Sequence, residues 1–275
     1  MIKRIILMAL FLIGFASAPA RSQAGPDTLR GGIVVNEFLP DPNGVDNYDT
    51  DGNGTAAAAD EFIELYNAGP SAVAMGGLEL WDPGADRWFT FPEGTLLPPA
   101  SFAVVVVGVQ AGGALPLLPA GSLAFDAGRS SGVLNNGGDN LVLYDPIADT
   151  FLQLTYNGAA MDDPVAGGNF AGFSPSAQRT GVVVEAGAAA DGTSLTREPD
   201  GEGAFQLHTL VNGALASPGV SASSPTPITL GEIRVLSSAR PPALVVAAMV
   251  LLGAMSLVRT IRSARSGFPG PDGRC

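Results

Sequence analysis

The sequence contains a single histidine and a single cysteine in 275 residues. These counts exclude a zinc finger, a Cys–His nucleophile pair and a disulfide framework, and a Ser–His–Asp triad could use only His208. Charged residues are also scarce, at 15%, whereas 36 glycines and 22 prolines interrupt the chain. This composition excludes a coiled coil or a helical bundle, because both need long runs without helix breakers. The length leaves room for one or two domains, and the many turn residues favour short strands.

The first 24 residues have the pattern of a secretory signal peptide. Two basic residues, Lys3 and Arg4, precede an apolar run over 5–16, and small residues follow it. A basic start, a short apolar stretch and a small-residue exit are typical of such signals, and the run is short for a membrane span. We therefore expect a signal peptide at 1–24 and an exported chain.

The other end has the pattern of a membrane anchor. A linker at 221–240 leads to an uncharged apolar run at 241–258, and a basic tail follows at 259–275. The run has the minimum length for a transmembrane helix, and the arginines beyond it favour a cytoplasmic tail. A buried core helix is the alternative, against which the flanking prolines and the terminal position argue. The layout also resembles the carboxy-terminal sorting tails of bacterial surface proteins, without their Pro-Glu-Pro signature.

Negative charge is concentrated between the two ends. Residues 31–220 contain 23 acidic side chains and 4 basic ones. A domain this acidic would repel nucleic acid, so we expect no nucleic-acid partner. It would attract divalent cations, although acidic surfaces are commonly just solvated.

Between the ends, short β-branched and apolar runs alternate with turn residues. This pattern predicts an all-β domain, an antiparallel sandwich in which each strand buries one face. The glycine- and alanine-rich stretches 110–140 and 157–204 are expected to be loops, and no helix of ordinary length is expected from 31 to 220. The candidate strands are 33–39, 61–66, 78–81, 88–91, 102–107, 141–144, 151–156, 182–184 and 205–207.

Several separated motifs resemble those of one family, the lamin-tail domain family. They are 33–38 (Ile-Val-Val-Asn-Glu-Phe), 60–67 (Asp-Glu-Phe-Ile-Glu-Leu-Tyr-Asn), 77–81 (Gly-Leu-Glu-Leu-Trp), 135–143 (Asn-Asn-Gly-Gly-Asp-Asn-Leu-Val-Leu), and the closing segments 194–197 and 217–219. Leu78 stands where the family commonly has tryptophan. The resemblance implies an immunoglobulin-like β-sandwich over 32–220, found in bacteria on secreted and surface proteins, and it supplies no general catalytic site.

The strongest chemical motif is an acidic loop between the first two expected strands. It matches the spacing of a calcium loop, in which alternate residues aim oxygen atoms inward and a glycine permits a sharp bend. The alternative is an ordinary turn cluster rich in Asp, Asn and Gly. We expect Ca²⁺ to be held by side-chain oxygens and one backbone carbonyl, and to pin the two strands together. The predicted ligands are Asp49, Asp51, Asn53, the carbonyl of Thr55, and Asp60, with Glu61 as a nearby substitute for Asp60.

Other motifs favour structure over chemistry. Residues 128–132 fit the Gly-x-Ser-x-Gly nucleophile elbow. That elbow requires a helix directly after it, and no helix is expected after residue 132. Glu37 and Glu64 could pair for acid–base work, although a structural role is the simpler interpretation. The aromatic residues of 81–91 could form a sugar platform, but core packing is commoner.

Taken together, the sequence predicts an exported protein whose single ectodomain lies outside the cytoplasm on a membrane anchor. We expect a non-enzymatic module for cell-surface binding, adhesion or surface structure, with Ca²⁺ as a structural ion and an extracellular or cell-surface ligand. The alternatives are a calcium-dependent extracellular hydrolase and a purely structural envelope protein.

Overall fold

The structure of the chain, a computed structural model, describes residues 28–223. The signal peptide expected at 1–24, the transmembrane helix expected at 241–258 and the basic tail expected at 259–275 lie outside the described residues. Within 28–223, no helix has both the length and the apolar character needed to cross a membrane.

The described residues form short strands, one 3₁₀ turn and one short helix. The strands of four or more residues are β1 (Ile33–Leu39), β2 (Phe62–Asn67), β4 (Glu79–Asp82), β5 (Asp86–Thr90), β7 (Phe102–Val106), β8 (Leu123–Asp126), β9 (Asn140–Asp145), β10 (Thr150–Thr155), β13 (Leu195–Glu198) and β14 (Ala204–Leu207). Two-residue strands are β3 (Val73–Ala74), β6 (Leu96–Leu97), β11 (Gln178–Arg179) and β12 (Val184–Glu185). The 3₁₀ turn is Ala58–Asp60, and the helix α1 is His208–Asn212.

The strands build two large sheets. The first has the order β14-β13-β1-β2-β7-β8, antiparallel except for the parallel pair β7 and β8. The second has the order β11-β10-β9-β4-β5, with β12 also on β10, and both β11 and β12 run parallel to β10. The short strands β3 and β6 pair separately.

The main hydrophobic core lies between the two sheets. Ile63 and Leu65 of β2 belong to the same buried cluster as Leu141 and Leu143 of β9. Alternate residues of a strand point to opposite faces, so these positions mark the inner faces of the sheets. The all-β prediction is confirmed, and two largely antiparallel sheets around one core are consistent with an immunoglobulin-like sandwich.

The outer faces of the central strands are buried too, and the expectation of one buried face per strand is wrong for β1 and β9. The continuous apolar run 102–107, by contrast, is typical of a strand buried on both faces, as β7 is. Every residue of β1, β7 and β9 is buried. On the outer face of the first sheet, Phe62 and Val104 pack with Leu118. On that of the second sheet, Trp81 packs with Phe173. The long loops, which carry Leu118 and Phe173, therefore act as extra layers.

Most of the expected strands are present within a residue or two of their expected bounds. The strands β9 and β10 form an antiparallel hairpin, in which Asn140 pairs with Thr155 and Asp145 pairs with Thr150. Two four-residue strands, β8 and β13, lie in stretches that were expected to be loops. The expected strand at 182–184 is reduced to β12.

Candidate metal centre

The acidic loop lies between β1 and β2, as its place in the sequence predicted. Carboxylate oxygens of Asp49, Asp51 and Asp60 all lie within 4.8 Å of one another. Asp60 closes the 3₁₀ turn directly before β2, and it is fully buried. Three of the five predicted ligands therefore converge at one point.

The first half of the loop curls around Asp49. Backbone N–H groups of Gly52 and Gly54 donate to its two carboxylate oxygens, at 2.8 and 2.6 Å. Both glycines have positive φ angles, 71° and 96°, a conformation that costs other residues free energy. Asn53 accepts a hydrogen bond from the Thr55 N–H at 2.8 Å, so its side-chain oxygen also supports the turn.

A second loop reaches the site and contacts Asp51. The Gln110 N–H donates to Asp51 Oδ2 at 2.6 Å, and the Ala114 N–H donates to the Asp51 carbonyl at 2.8 Å. A Cβ atom on Gly113 would overlap the Asp51 carboxylate, which explains a glycine at this close approach. Sequence reasoning missed Gln110, since it lies in a stretch without a strand or motif signal.

Asp60 accepts hydrogen bonds on both carboxylate oxygens. Oδ1 accepts from the N–H groups of Thr50 and Asp51, at 2.9 and 3.1 Å. Oδ2 accepts from the Ala57 N–H at 2.9 Å and from Gln110 Nε2 at 3.1 Å. Burial raises the pKa of Asp60, and the nearby carboxylates of Asp51 and Asp49 add to this despite the hydrogen bonds.

The carboxylate lone pairs that protein donors leave unoccupied decide which residues can bind a cation. An ionised carboxylate offers about four lone-pair positions, and protein donors already occupy that number on Asp60. The Asp51 carboxylate accepts only two hydrogen bonds, and the Asp49 carboxylate accepts three. A cluster of carboxylate oxygens fits a hard dication such as Ca²⁺, with Asp49 and Asp51 offering free lone pairs and Asp60 folding the loop behind them.

Glu61, the expected substitute for Asp60, is committed elsewhere. Its Oε2 accepts the N–H groups of Val133 and Leu134, at 2.7 and 2.8 Å. Burial raises the pKa of Glu61 to about 7, although these hydrogen bonds oppose the shift. Glu61 therefore joins β2 to the 133–134 segment.

A second acidic feature lies on the outer face of the first sheet. Glu37 and Glu64 are directly opposite in the register of β1 and β2, beside a β-bulge, and both are fully buried. Burial raises the pKa of Glu64 well above its usual value, and the charge of Glu37 adds to the rise. Burial also raises the pKa of Glu37, although nearby His208 and the hydrogen bonds that Glu37 accepts from Ser194 and Ser217 lower it.

The segment after α1 covers this pair of glutamates. The N–H and hydroxyl of Ser217 donate to Glu37 at 2.9 and 3.0 Å, and the Gly219 N–H donates to Glu64 Oε2. Ser194 adds a hydroxyl to Glu37 at 2.6 Å. The two carboxyls therefore act as internal anchors for a closing strap, residues 217–219, in line with the structural role expected from the sequence.

The remaining chemical candidates have structural roles among the described residues. No helix follows residues 128–132 before β9, so the nucleophile elbow is not formed there. His208 is fully buried at the start of α1, with Nδ1 3.0 Å from the Ala214 carbonyl oxygen. Trp81, Trp88 and Phe91 are buried, and the sugar platform is replaced by core packing.

Comparison with known proteins agrees with the motifs quoted above. The family model described as Lamin Tail Domain matches residues 26–163, half of the chain, which includes the acidic loop and the strands from β1 to β10. The match ends before the closing segments at 194–197 and 217–219. No curated protein matches the chain. The chain belongs to the lamin tail domain family.

Proposed function

We propose that this chain is an exported, membrane-anchored module that displays one immunoglobulin-like sandwich for binding, adhesion or structure at the cell surface. In this proposal Ca²⁺ stabilises the loop between β1 and β2, and the protein is not an enzyme. The observation that carries the metal part is the convergence of the Asp49, Asp51 and Asp60 carboxylates within 4.8 Å.

Export and anchoring are supported by the two ends of the sequence. The basic start and apolar run of 1–24 suit a signal peptide, and the apolar run of 241–258 with its arginine-rich tail suits a membrane anchor. The intervening acidic domain would then face the outside, where calcium concentrations suit weak sites.

Binding of Ca²⁺ is tested by calorimetric titration of the purified chain. We expect a dissociation constant on the order of 0.1–1 mM, the range of extracellular modules, and little heat with Mg²⁺, which demands a stricter geometry. Saturating Ca²⁺ should also raise the melting temperature, because a ligand of the folded state stabilises it.

The double variant Asp49→Asn, Asp51→Asn keeps an oxygen acceptor at each site but removes the charges, and it should lose the heat of binding. Asp46→Asn is the matched control, because Asp46 is an exposed acid in the same connection. A wild-type chain that gives neither heat nor a melting shift with Ca²⁺ would contradict the calcium proposal.

The surface role is tested separately with a screen against glycans and extracellular matrix proteins. A saturable ligand supports a binding or adhesion module, whereas a purely structural envelope protein would bind none of them. Hydrolysis of any substrate that is lost in Asp49→Ala and retained in Asp46→Asn would favour the enzyme alternative.

A further inference from the structure

A small pocket opens at one side of the sandwich, away from the acidic loop. Its apolar wall comes from β1, β9, β10 and β12, with Val35, Leu141, Leu152 and Val184 among the lining side chains. The space inside is about 30 Å³, enough for about two water molecules. At its mouth, Val182 is 76% exposed, so the rim is apolar too.

Arg197 of β13 supplies the positive charge of this pocket. Its side chain is only 6% exposed, and its guanidinium lies 4.2 Å from the centroid of the Phe205 ring. Nε donates to the Val35 carbonyl at 2.9 Å and Nη1 donates to the Gly203 carbonyl at 2.6 Å. Within residues 28–223, Nη2 makes no hydrogen bond and no carboxylate pairs with this guanidinium.

This situation differs from that of three other arginines. Arg30, Arg87 and Arg179 each form an ion pair at 2.8 to 2.9 Å with an acidic side chain of the domain, whereas the half-buried Arg129, outside this pocket, forms none among the described residues. A buried charge without a counter-ion is unfavourable, and burial lowers the pKa of Arg197 to about 10. The guanidinium remains protonated at neutral pH, so an anion would relieve the cost.

The other polar side chain of the pocket is already satisfied. Gln153 Nε2 donates to Asn140 Oδ1 and to the Asp162 carbonyl, at 2.9 and 2.7 Å. Gln153 Oε1 accepts from Arg179, at 3.0 and 3.2 Å. The free hydrogen-bonding capacity of the pocket therefore belongs to Arg197.

We propose that this pocket binds the carboxylate end of a short aliphatic acid. The carboxylate accepts from Arg197 Nη2, and the alkyl chain lies against Val35, Leu152 and Val184 and emerges past Val182. A hydrogen bond from the charged Nη2 group favours an anionic acceptor, and the apolar wall selects an alkyl tail over a hydrated inorganic anion. The small volume limits the enclosed part to roughly the carboxylate group, so most of the alkyl chain lies along the apolar mouth.

The proposal is tested by titrating the methyl-labelled full chain with sodium butyrate at constant ionic strength, followed by NMR. EDTA is present throughout, so the result does not depend on calcium binding. We expect saturable shifts of the Val35, Leu152 and Val184 methyl signals, with a dissociation constant on the order of 1 mM. Butyramide and butylammonium have the same alkyl chain without the negative charge, and they should bind at least tenfold more weakly.

Two variants test the pocket in independent ways. Arg197→Met keeps an apolar stem beside Phe205 but removes the charge, and Val184→Phe fills the pocket while leaving Arg197 in place. Both should weaken butyrate binding at least tenfold. Arg87→Met is the matched control, because Arg87 pairs with Glu79 outside the pocket. The affinity of this variant for butyrate should stay within twofold of that of the wild type.

Thermal melting of each variant establishes that it is folded. If Arg197→Met fails to fold, the proposal is tested by Val184→Phe and by the relative affinities of the wild-type chain for butyrate, butyramide and butylammonium. The proposal is overturned if butyrate gives no saturable shift, if butylammonium binds as well as butyrate, or if a folded Val184→Phe binds butyrate normally.

Discussion

Asp60 has a larger structural role than the spacing of the acidic loop suggested. The calcium-loop spacing predicts that Asp60 is the closing ligand, whereas its carboxylate accepts four hydrogen bonds, from both sides of the loop and from Gln110. Sequence spacing could predict that Asp49, Asp51 and Asp60 converge, because the motif fixes local geometry. It could not predict the Gln110 contact, which depends on how two distant loops pack.

Replacement of Asp60 by alanine should destabilise the fold even without metal. The change leaves the buried N–H groups of Thr50 and Asp51 without acceptors, and we expect a loss of about 2–4 kcal/mol in the free energy of unfolding. Urea unfolding in EDTA measures it. Asp46→Ala, at an exposed position of the same connection, should change stability by no more than about 0.5 kcal/mol. Equal stabilities for the two variants would show that the Asp60 hydrogen bonds contribute little.

Among the elements, the longest and most apolar strands were predictable and the edges were not. β1 and β7 have dense β-branched sequences, so their existence follows from the residues alone. β8 is a half-exposed edge strand that runs parallel to β7, and its pairing depends on a partner about 20 residues away. The strap at 217–219 was expected to belong to the domain only through the family resemblance, because its Ser-Pro-Gly sequence gives no sign of the glutamates beneath it.

Gly219 in the strap and Gly213 at the end of α1 offer a matched pair of glycine substitutions. Gly213 and Gly219 both have φ of 81°, so alanine at either position is strained. A Cβ on Gly213 meets open space, whereas one on Gly219 would overlap the Leu118 side chain. We expect Gly213→Ala to cost about 1 kcal/mol and Gly219→Ala about 3 kcal/mol.

Urea unfolding measures both costs, and hydrogen exchange follows the Gly219 amide that donates to Glu64. Release of the strap in Gly219→Ala should expose that segment to protease, and Gly213→Ala should leave it protected. Equal costs and equal protection would mean that the strap is not packed against Leu118.

At the scale of the whole molecule, burial of acidic groups makes stability depend on pH. Burial raises the pKa of Asp82 to about 8, and the neighbouring Asp139 adds to the rise. Asp82, Glu37 and Glu64 hold protons more tightly when folded than when unfolded. The contribution of these three groups to the free energy of unfolding is therefore complete below their pKa values in the unfolded chain, near 4. It is lost as the pH rises through their pKa values in the folded protein.

The free energy of unfolding in EDTA should accordingly fall between pH 5 and about 8, as measured by urea titration at several pH values. Asp82→Asn should flatten the upper part of this slope, because asparagine does not ionise and its oxygen can still accept from Gly84 and Ala85. Asp46→Asn should leave the slope unchanged. A stability that rises steadily toward pH 8 would contradict the prediction.

The position of the strap also determines where mechanical tension would enter the domain. Tension on the chain beyond residue 223 passes first through buried Ala222, whose carbonyl accepts from Asn212 at the end of α1. It reaches the first sheet at Gly219 and Ser217, which are fastened to β2 and β1 in the middle of that sheet. The edge strand β14 lies earlier in the chain and is shielded until those fastenings part. The central strands β1 and β2 would thus resist the force first, and the separation of the edge strand β14 from the sheet would be delayed.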